Sequence, residues 1–372
     1  MRPSSDVIVI GGGAVGLSVA LQLARRNVGV TLFDRGAVAA EASTRNGGQV
    51  SPFIDGRWAP FARRCLDLWP ALAAELGEIG YRPAGGLHVI VAADSVDPGD
   101  LVAYRRERGL VAELASPEEC FERLPGLSHD IKGGVFSPRH GQVDPFAAMN
   151  ALARAAREAG ATLHPNTAVE KIEIDADRVI GVRTSRGMVT GDYVVNAAGP
   201  WAAQVAALAN VTIPVGPRRL QIMRSAPTTR ITEMVWSGNG LYSRQDRSGR
   251  LHFGAEGPPW DPSPADFENN VTAPTMQRIA RRMFELMPAL RNVPIERAWA
   301  GIIAMTPDLM PIVDSLPSPR GLVLATGFGG NGFGSSPAFG EAVAQLIVDG
   351  RSQIDTSPFR LARFATATAA PT

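Results

Sequence analysis

Asp6-Val-Ile-Val-Ile-Gly11-Gly12-Gly13-Ala14-Val15-Gly16 is the stretch that decides the fold of this 372-residue chain. An apolar, β-branched run ends in Gly11-x-Gly13-x-x-Gly16, and Leu17, Val19, Ala20, Leu23 and Ala24 follow at helical spacing. A second strand is predicted over residues 28–33 and stops at Asp34. Strand, glycine turn, helix, strand and acid together form the unit that holds a dinucleotide. Gly11 permits the sharp turn. Gly13 lets a pyrophosphate approach the backbone, and Gly16 lets the helix pack closely on the strand. The helix N-terminus offers unpaired N–H groups and the positive end of its dipole to phosphate. Asp34 lies 18 residues beyond Gly16, the spacing of an acid that bonds a ribose hydroxyl.

Working outward, the length suits about two domains. The formal net charge of +1, with no basic stripe or acidic tail, argues against a nucleic-acid partner. Cys65 and Cys120 lack any metal-ligand or CxxC spacing, so they read as buried or incidental thiols, and no metal site is expected. Five residues precede Asp6, too few for a signal peptide, and no apolar run reaches membrane-spanning length. The expectation is a soluble cytoplasmic protein with no transmembrane segment.

The apolar stripe Phe61, Cys65, Leu68, Leu72 and Leu76 predicts a helix that Pro70 should kink or split. Residues 86–92 read as a strand. Two short helices follow, the second with a Ser116/Glu119 capping box. Asp144 then caps a helix that starts at Pro145 and closes at Gly160. Residues 169–190 alternate like a small antiparallel meander, and residues 193–199 form an apolar strand. Polar alternation over residues 219–224, 240–244 and 250–254 predicts a further antiparallel sheet. The end of the chain returns to a strand (residues 321–326), a glycine loop and a helix. The expected fold is therefore α/β: a discontinuous Rossmann-like domain with an inserted α+β substrate domain built on an antiparallel sheet. The expected boundaries are 1–80, 141–213 and 295–372 for the nucleotide domain, and 81–140 and 214–294 for the substrate domain.

Five motifs resemble those of the D-amino acid oxidase-like FAD-dependent oxidoreductases. The resemblance is strongest to the branch with glycine oxidase, sarcosine oxidase and the β subunits of sarcosine, hydroxyproline and opine dehydrogenases. The motifs are the N-terminal glycine turn with Asp34, Ala42-Ser-Thr-Arg-Asn-Gly-Gly-Gln-Val50, Gly141-Gln-Val-Asp144-Pro145, Val195-Asn-Ala-Ala-Gly199-Pro-Trp201, and Trp299-x-Gly301 through Thr306-Pro-Asp308 to Thr326-Gly-Phe-Gly-Gly-Asn-Gly-Phe333.

The resemblance implies bound FAD. Gly11, Gly13, Ala14, Val15 and Gly16 would hold the pyrophosphate, and Asp34 with Arg35 the adenosine end. Ser43, Asn46, Gly47 and Gly48 would line the ribityl chain and ring. Val169 would contact adenine through its backbone, and Ala198, Gly199 and Trp201 would close the cleft. Gly330, Asn331, Gly332 and Phe333 would run along the pyrimidine edge, at the start of a helix whose dipole favours negative charge on the ring. Some relatives attach the flavin through a histidine. The loop here reads Thr44-Arg45-Asn46, so a noncovalent flavin is expected. Some relatives grip a substrate carboxylate with an arginine two residues after the glycine of Trp-x-Gly. That position here is Ile303.

The implied chemistry is hydride transfer from the carbon beside an amine, giving an imine. The expected substrate is a small amino acid or secondary amine: a D-amino acid, D-hydroxyproline, an N-substituted glycine or an opine. Tyr242 with Arg244, and Arg219 with Gln221, alternate on predicted strands and are candidates to anchor its carboxylate. Arginine suits that role through bidentate bonding. Arg45 and Arg57 are further candidates, and His140 is a loop residue of open role. His252 reads as a hydrogen-bonded sheet histidine, and Trp299 as core. Two other readings stand beside this one: a nicotinamide-dependent dehydrogenase, and a flavin-bearing β subunit that needs partner chains. Lys132 and Lys171 are the two lysines of the chain, and residues 215–257 contain none. Without a compact cation beside the ring, a dye, quinone or partner chain is the expected electron acceptor in preference to oxygen.

Overall fold

The computed structural model describes residues 5–50, 56–255 and 270–364. Its first sheet has six strands in the order Ile312–Ser315, Leu322–Thr326, Tyr193–Asn196, Val7–Ile10, Val30–Phe33, Thr162–His164. All neighbours are parallel except Ile312–Ser315, which runs antiparallel to Leu322–Thr326. Every residue of Val7–Ile10 is buried, as expected for a parallel strand covered on both faces. Alternation divides it between two cores. Val7 and Val9 pack with Leu17 and Leu21 of helix Ala14–Ala24 and with Phe339 and Val343 of helix Gly332–Val348. Ile8 and Ile10 pack with Ile172, Val179 and Val182 of a three-stranded meander, Val169–Asp175, Arg178–Thr184 and Gly187–Thr190.

The second sheet has eight strands in the order Ile295–Met305, Gly216–Pro227, Arg250–Ala255, Leu241–Gln245, Val235–Gly238, Gly86–Val91, Ile131–Ser137, Glu113–Ala115. It is antiparallel except where Val235–Gly238 meets Gly86–Val91. One face of its centre, with Met223, Leu241 and Phe253, packs on Ile279, Met283 and Leu286 of helix Ala273–Leu286. Strand Ile295–Met305 belongs to this sheet, pairing along Gly216–Pro227 with Leu220 opposite Gly301. It therefore departs from the expected boundary at residue 295, which had placed it with the nucleotide domain.

Local chemistry explains several elements. Asp144 caps helix Pro145–Glu158 by accepting from the Ala147 N–H at 2.9 Å. Ser116 and Glu119 form the predicted capping box. Pro70 neither splits nor ends its helix, which runs unbroken over Ala59–Leu76. Pro70 sits on the exposed face, where water can satisfy the Leu66 carbonyl that loses its partner. Helix Gly332–Val348 tolerates Pro337 by a different route: the Ser336 hydroxyl donates to the Phe333 carbonyl at 3.0 Å. Phe61 stacks on Phe339 with ring centroids 3.9 Å apart, locking helix Ala59–Leu76 to Gly332–Val348.

Helices Ala14–Ala24 and Gly332–Val348 pack tightly at Gly340, where an added Cβ would lie 2.5 Å from the Ser18 Cβ and 2.8 Å from its carbonyl carbon. Gly340→Ala should cost about 1–3 kcal/mol by overpacking this crossing. A urea midpoint unchanged from that of the parent protein would show that the crossing relaxes freely.

Candidate active site

A cleft of about 690 Å³ opens at the carboxyl ends of strands Val7–Ile10, Tyr193–Asn196 and Leu322–Thr326. This is where an open α/β sheet binds its ligand. The glycine turn contributes Gly11, Gly13, Ala14 and Val15 to its wall. Asp34, Arg35, Ser43, Asn46 and Val169 line it, as do Ala198, Gly199 and Trp201, and Gly330, Gly332 and Phe333 complete it. Four further residues expected at the cofactor do not line this cleft. Gly16 is a packing residue, since its added Cβ would lie 1.9 Å from the Gly11 carbonyl oxygen. Gly48, at φ +70°, fits against the Val143 carbonyl, 2.2 Å from where its Cβ would be. Gly47 and Asn331 line a second, smaller cavity.

The cleft fits a dinucleotide on its own features. The N–H groups of Gly13 and Val15 make no hydrogen bond among the described residues, as expected of helix-start donors that await an anion. Added Cβ atoms on Gly199 and Gly330 would meet only open space. Asp34 Oδ2 accepts from the Gly12 N–H at 2.7 Å and Oδ1 from Gly36 N–H at 2.8 Å. Burial raises its pKa, and those two bonds oppose the rise. The Arg35 guanidinium lies 3.8 Å over the Trp201 ring, closing one end of the cleft by a cation–π contact.

The loop over residues 42–50 is held from three sides. Ser43 Oγ accepts from the Ala14 N–H at 2.8 Å, so the loop docks on the helix start. Asn46 closes the loop on itself, with Oδ1 accepting from Gly48 N–H at 2.7 Å and Nδ2 donating to the Ser43 carbonyl at 2.7 Å. Behind the loop, Arg244 Nε donates to the Gly47 carbonyl, and its Nη1 reaches Gln142 Oε1 at 3.4 Å. Buried Gln142 is fixed by its backbone pairing with Arg82 and by a bond to the Glu233 carbonyl. Burial lowers the Arg244 pKa to about 10, so it remains a cation at neutral pH.

The second cavity, about 150 Å³, shares Ala42, Asn46, Ile303, Gly330 and Phe333 with the cleft. Leu220, Ile222 and Tyr242 face it from the eight-stranded sheet, and Arg45, Gly47, Gln49 and Asn331 add polar groups. Two glycines make room for the Tyr242 ring. An added Cβ on Gly254 would lie 2.5 Å from the phenolic oxygen, and one on Gly47 would lie 3.0 Å from ring Cε2. The role of Gly254 carries no sequence signal, because it depends on a cross-strand pairing with Tyr242.

The candidate anchors separate. Tyr242 lines the small cavity. Arg219 does not, correcting the expectation. Strand alternation puts it on the face of Met223, opposite Leu220 and Ile222, and its Nη1 donates to the Asn270 carbonyl at 3.1 Å. Gln221 likewise bonds Thr272. Arg244 is also corrected: it lies behind the loop as a positioning residue and does not line the cavity. Arg57 lines a separate surface groove with Tyr104, Glu107 and Arg108. His252 bonds Asp246 at 2.9 Å, and burial lowers its pKa. Trp299 Nε1 donates to the Arg45 carbonyl at 3.0 Å. Burial drives His140 to a pKa of about 3, leaving it neutral, and it lines neither cavity. Both cysteines are free and buried, and burial pushes the Cys65 thiol up to about 12. No metal-binding group of acids, histidines or cysteines occurs among the described residues. Nor is any helix among them long and apolar enough to cross a membrane.

A glycine-walled dinucleotide cleft shares a wall with a small, mostly apolar cavity, the arrangement of an enzyme that brings a small molecule to a bound dinucleotide. The family model DAO, described as FAD dependent oxidoreductase, matches residues 6–346, and the chain belongs to this family. Glycine oxidase of Geobacillus kaustophilus (strain HTA426) is 30% identical, with 96% of this chain and 97% of that protein aligned. Sarcosine oxidase subunit beta of Rhizobium meliloti (strain 1021) is 29% identical, over 98% of this chain and 89% of that one. The crystal structure of L-proline dehydrogenase from P. horikoshii superposes with a TM-score of 0.89 at 27% identity, covering 99% of each chain. The chain is thus an FAD-dependent oxidoreductase, which excludes the nicotinamide reading.

Asp34→Ala removes the acceptor for Gly12 and Gly36 as well as for a ribose hydroxyl. FAD affinity should fall about tenfold or more, measured by fluorescence titration of apoprotein. Ribose donors favour the ionised carboxylate, whose pKa burial has raised. Affinity should therefore hold at neutral pH and decline as pH falls through that raised value. A flat profile into the acid range would show that Asp34 does not bear on the cofactor.

Proposed function

We propose that this enzyme oxidises the C–N bond of a small amino acid or secondary amine to an imine, which water then hydrolyses. The observation that carries the reading is the small cavity joined to the cofactor cleft through Ala42, Asn46, Ile303, Gly330 and Phe333. FAD, when bound, supplies the hydride acceptor. Leu220, Ile222, Ile303 and Phe333 wall the cavity and exclude water from the reacting carbon. Tyr242, Gln49 and Asn331 offer hydrogen bonds that orient the substrate. D-amino acids, D-hydroxyproline, N-substituted glycines and opines all belong to this class.

No aspartate, glutamate or histidine lines the cavity among the described residues. A substrate that arrives with its amine neutral supplies its own electron push. Anaerobic mixing with a panel of such amines should bleach the flavin. The apparent affinity should improve as pH rises through the pKa of each substrate's own amine, and so differ from one substrate to the next. No bleaching by any member of the panel would overturn the reading, and one profile common to all substrates would reveal a protein base.

The β-subunit reading is the less favoured, because glycine oxidases match this chain over nearly their whole length. Likeness to a sarcosine oxidase subunit beta is what supports it. Both lysines stand away from the two cavities. Lys132 donates to the Asp94 carbonyl at the far side of the eight-stranded sheet, and Lys171 pairs with Glu173 in the meander at 2.7 Å. The electron acceptor proposed is accordingly a dye, quinone or partner chain. Stopped-flow mixing of substrate-reduced enzyme should show slow oxidation by oxygen and fast oxidation by a quinone. Oxygen turnover as fast as steady-state catalysis would make the enzyme an oxidase.

A further inference from the structure

We propose that His252 is a positioning residue for the cofactor loop over residues 42–50: in its neutral form it holds Trp299 and Arg244 on the two loop carbonyls that they bind. This role lies on the cofactor side of the site and is independent of which substrate is oxidised. The loop contributes Ala42, Ser43 and Asn46 to the cofactor cleft. Trp299 Nε1 donates to the Arg45 carbonyl at 3.0 Å, and Arg244 Nε donates to the Gly47 carbonyl. His252 stands against both of these clamps. Its ring meets that of Trp299 edge to face, with centroids 5.9 Å apart. In the sheet it lies directly opposite Arg244 on strand Leu241–Gln245 and directly opposite Arg224 on strand Gly216–Pro227. The three side chains therefore share one face as cross-strand neighbours.

The charges around the ring make its protonation state matter. Asp246 is the one acid bonded to His252 among the described residues, accepting from Nε2 at 2.9 Å. The N–H groups of Ser248 and Arg250 fix that carboxylate in turn, at 2.9 and 3.0 Å. Burial works against the Asp246 charge, but the bonds from His252, Ser248 and Arg250 hold its pKa well below the usual carboxylate range. An ionised carboxylate only accepts, so neutral His252 carries its proton on Nε2. The other groups nearby are mostly cations. Arg224 and Arg244 flank the ring, and Arg297 stands opposite Arg224 one strand further on. Glu296 is already engaged by Arg224 and Arg250, at 3.0 and 2.9 Å. The Arg45 guanidinium donates to the carbonyl of Ala300, next along the strand from Trp299. Burial, reinforced by Arg244 and Arg224, lowers the His252 pKa below 6.5 against the pull of Asp246. The ring is thus uncharged at neutral pH and separates the two arginines. A proton on it would place three cations side by side on this face and weaken the hold of Arg244 on the Gly47 carbonyl.

The test lowers the pH on the holoenzyme and follows FAD release by flavin fluorescence and the visible absorption band, with no substrate present. The parent enzyme should show an acid limb below pH 6.5 in both readouts. Arg224→Gln removes a charge that opposes protonation of His252 and should move this limb up by about one pH unit. Asp246→Asn removes the charge that favours protonation and should move it down by about as much. Neither Arg224 nor Asp246 lines the cleft or the small cavity, so a merely structural role predicts no opposed shifts. His252→Gln keeps a donor for Asp246 but does not titrate, and it should lose the limb. A contribution from Asp34, which sits at the glycine turn bonded to Gly12, should stay in place in all three variants. A limb that stays put in both charge variants, or that moves the same way in both, would overturn the role of His252. So would a limb unchanged in His252→Gln. If His252→Gln does not fold, the opposed shifts of the two charge variants still decide.

Discussion

Between Gly11 and Gly16 two stretches of backbone nearly touch, and the rest of the site depends on that approach. The Gly11 carbonyl occupies the space that a side chain on Gly16 would need. Helix Ala14–Ala24 can therefore start directly above the end of strand Val7–Ile10, with its first N–H groups at the mouth of the cleft. Gly11 itself adopts φ +110° and lies against the Ala197 carbonyl, which brings the second nucleotide motif alongside the first. Main-chain contact at this density admits no Cβ, so the glycines set where phosphate charge is received.

The second constraint is the clamp on the loop over residues 42–50. The loop is caught between the helix start, through Ser43 and Ala14, and the eight-stranded sheet, through Arg244 and the Gly47 carbonyl. Gln49 adds a bond from its Nε2 to the Ser243 carbonyl at 3.0 Å. The loop is thus the hinge piece between the cofactor cleft and the small cavity and contributes Ala42 and Asn46 to both. Burying Arg244 carries a desolvation cost, which hydrogen bonds to Gly47 and Gln142 offset.

Much of the architecture was legible along the chain. The glycine turn, Asp34, the Asp144 cap and the meander over residues 169–190 all stand where their patterns put them, because each depends on residues near one another in sequence. Pro70 was misread because a local rule has no access to exposure. A proline on the solvent side leaves its orphaned carbonyl to water. The short strands Glu113–Ala115, Val235–Gly238 and Ile312–Ser315 had no usable local signal, since partners far away in sequence create them.

The anchor candidates show the division most clearly. Alternation identified Arg219, Gln221, Tyr242 and Arg244 as polar positions on strands, but it could not say which face of the sheet meets the cavity. Packing of Met223 and Phe253 on helix Ala273–Leu286 decides that, turning Arg219 away and Leu220, Ile222 and Tyr242 inward. The sequence by itself determined the dinucleotide fold and the cofactor class, because phosphate recognition is written in contiguous glycines and one acid. Tertiary structure decided which polar groups line the small cavity, because that requires the loop carrying Gln49, the strand carrying Gly301 and the sheet carrying Tyr242 to converge, and burial, not local propensity, sets where they meet.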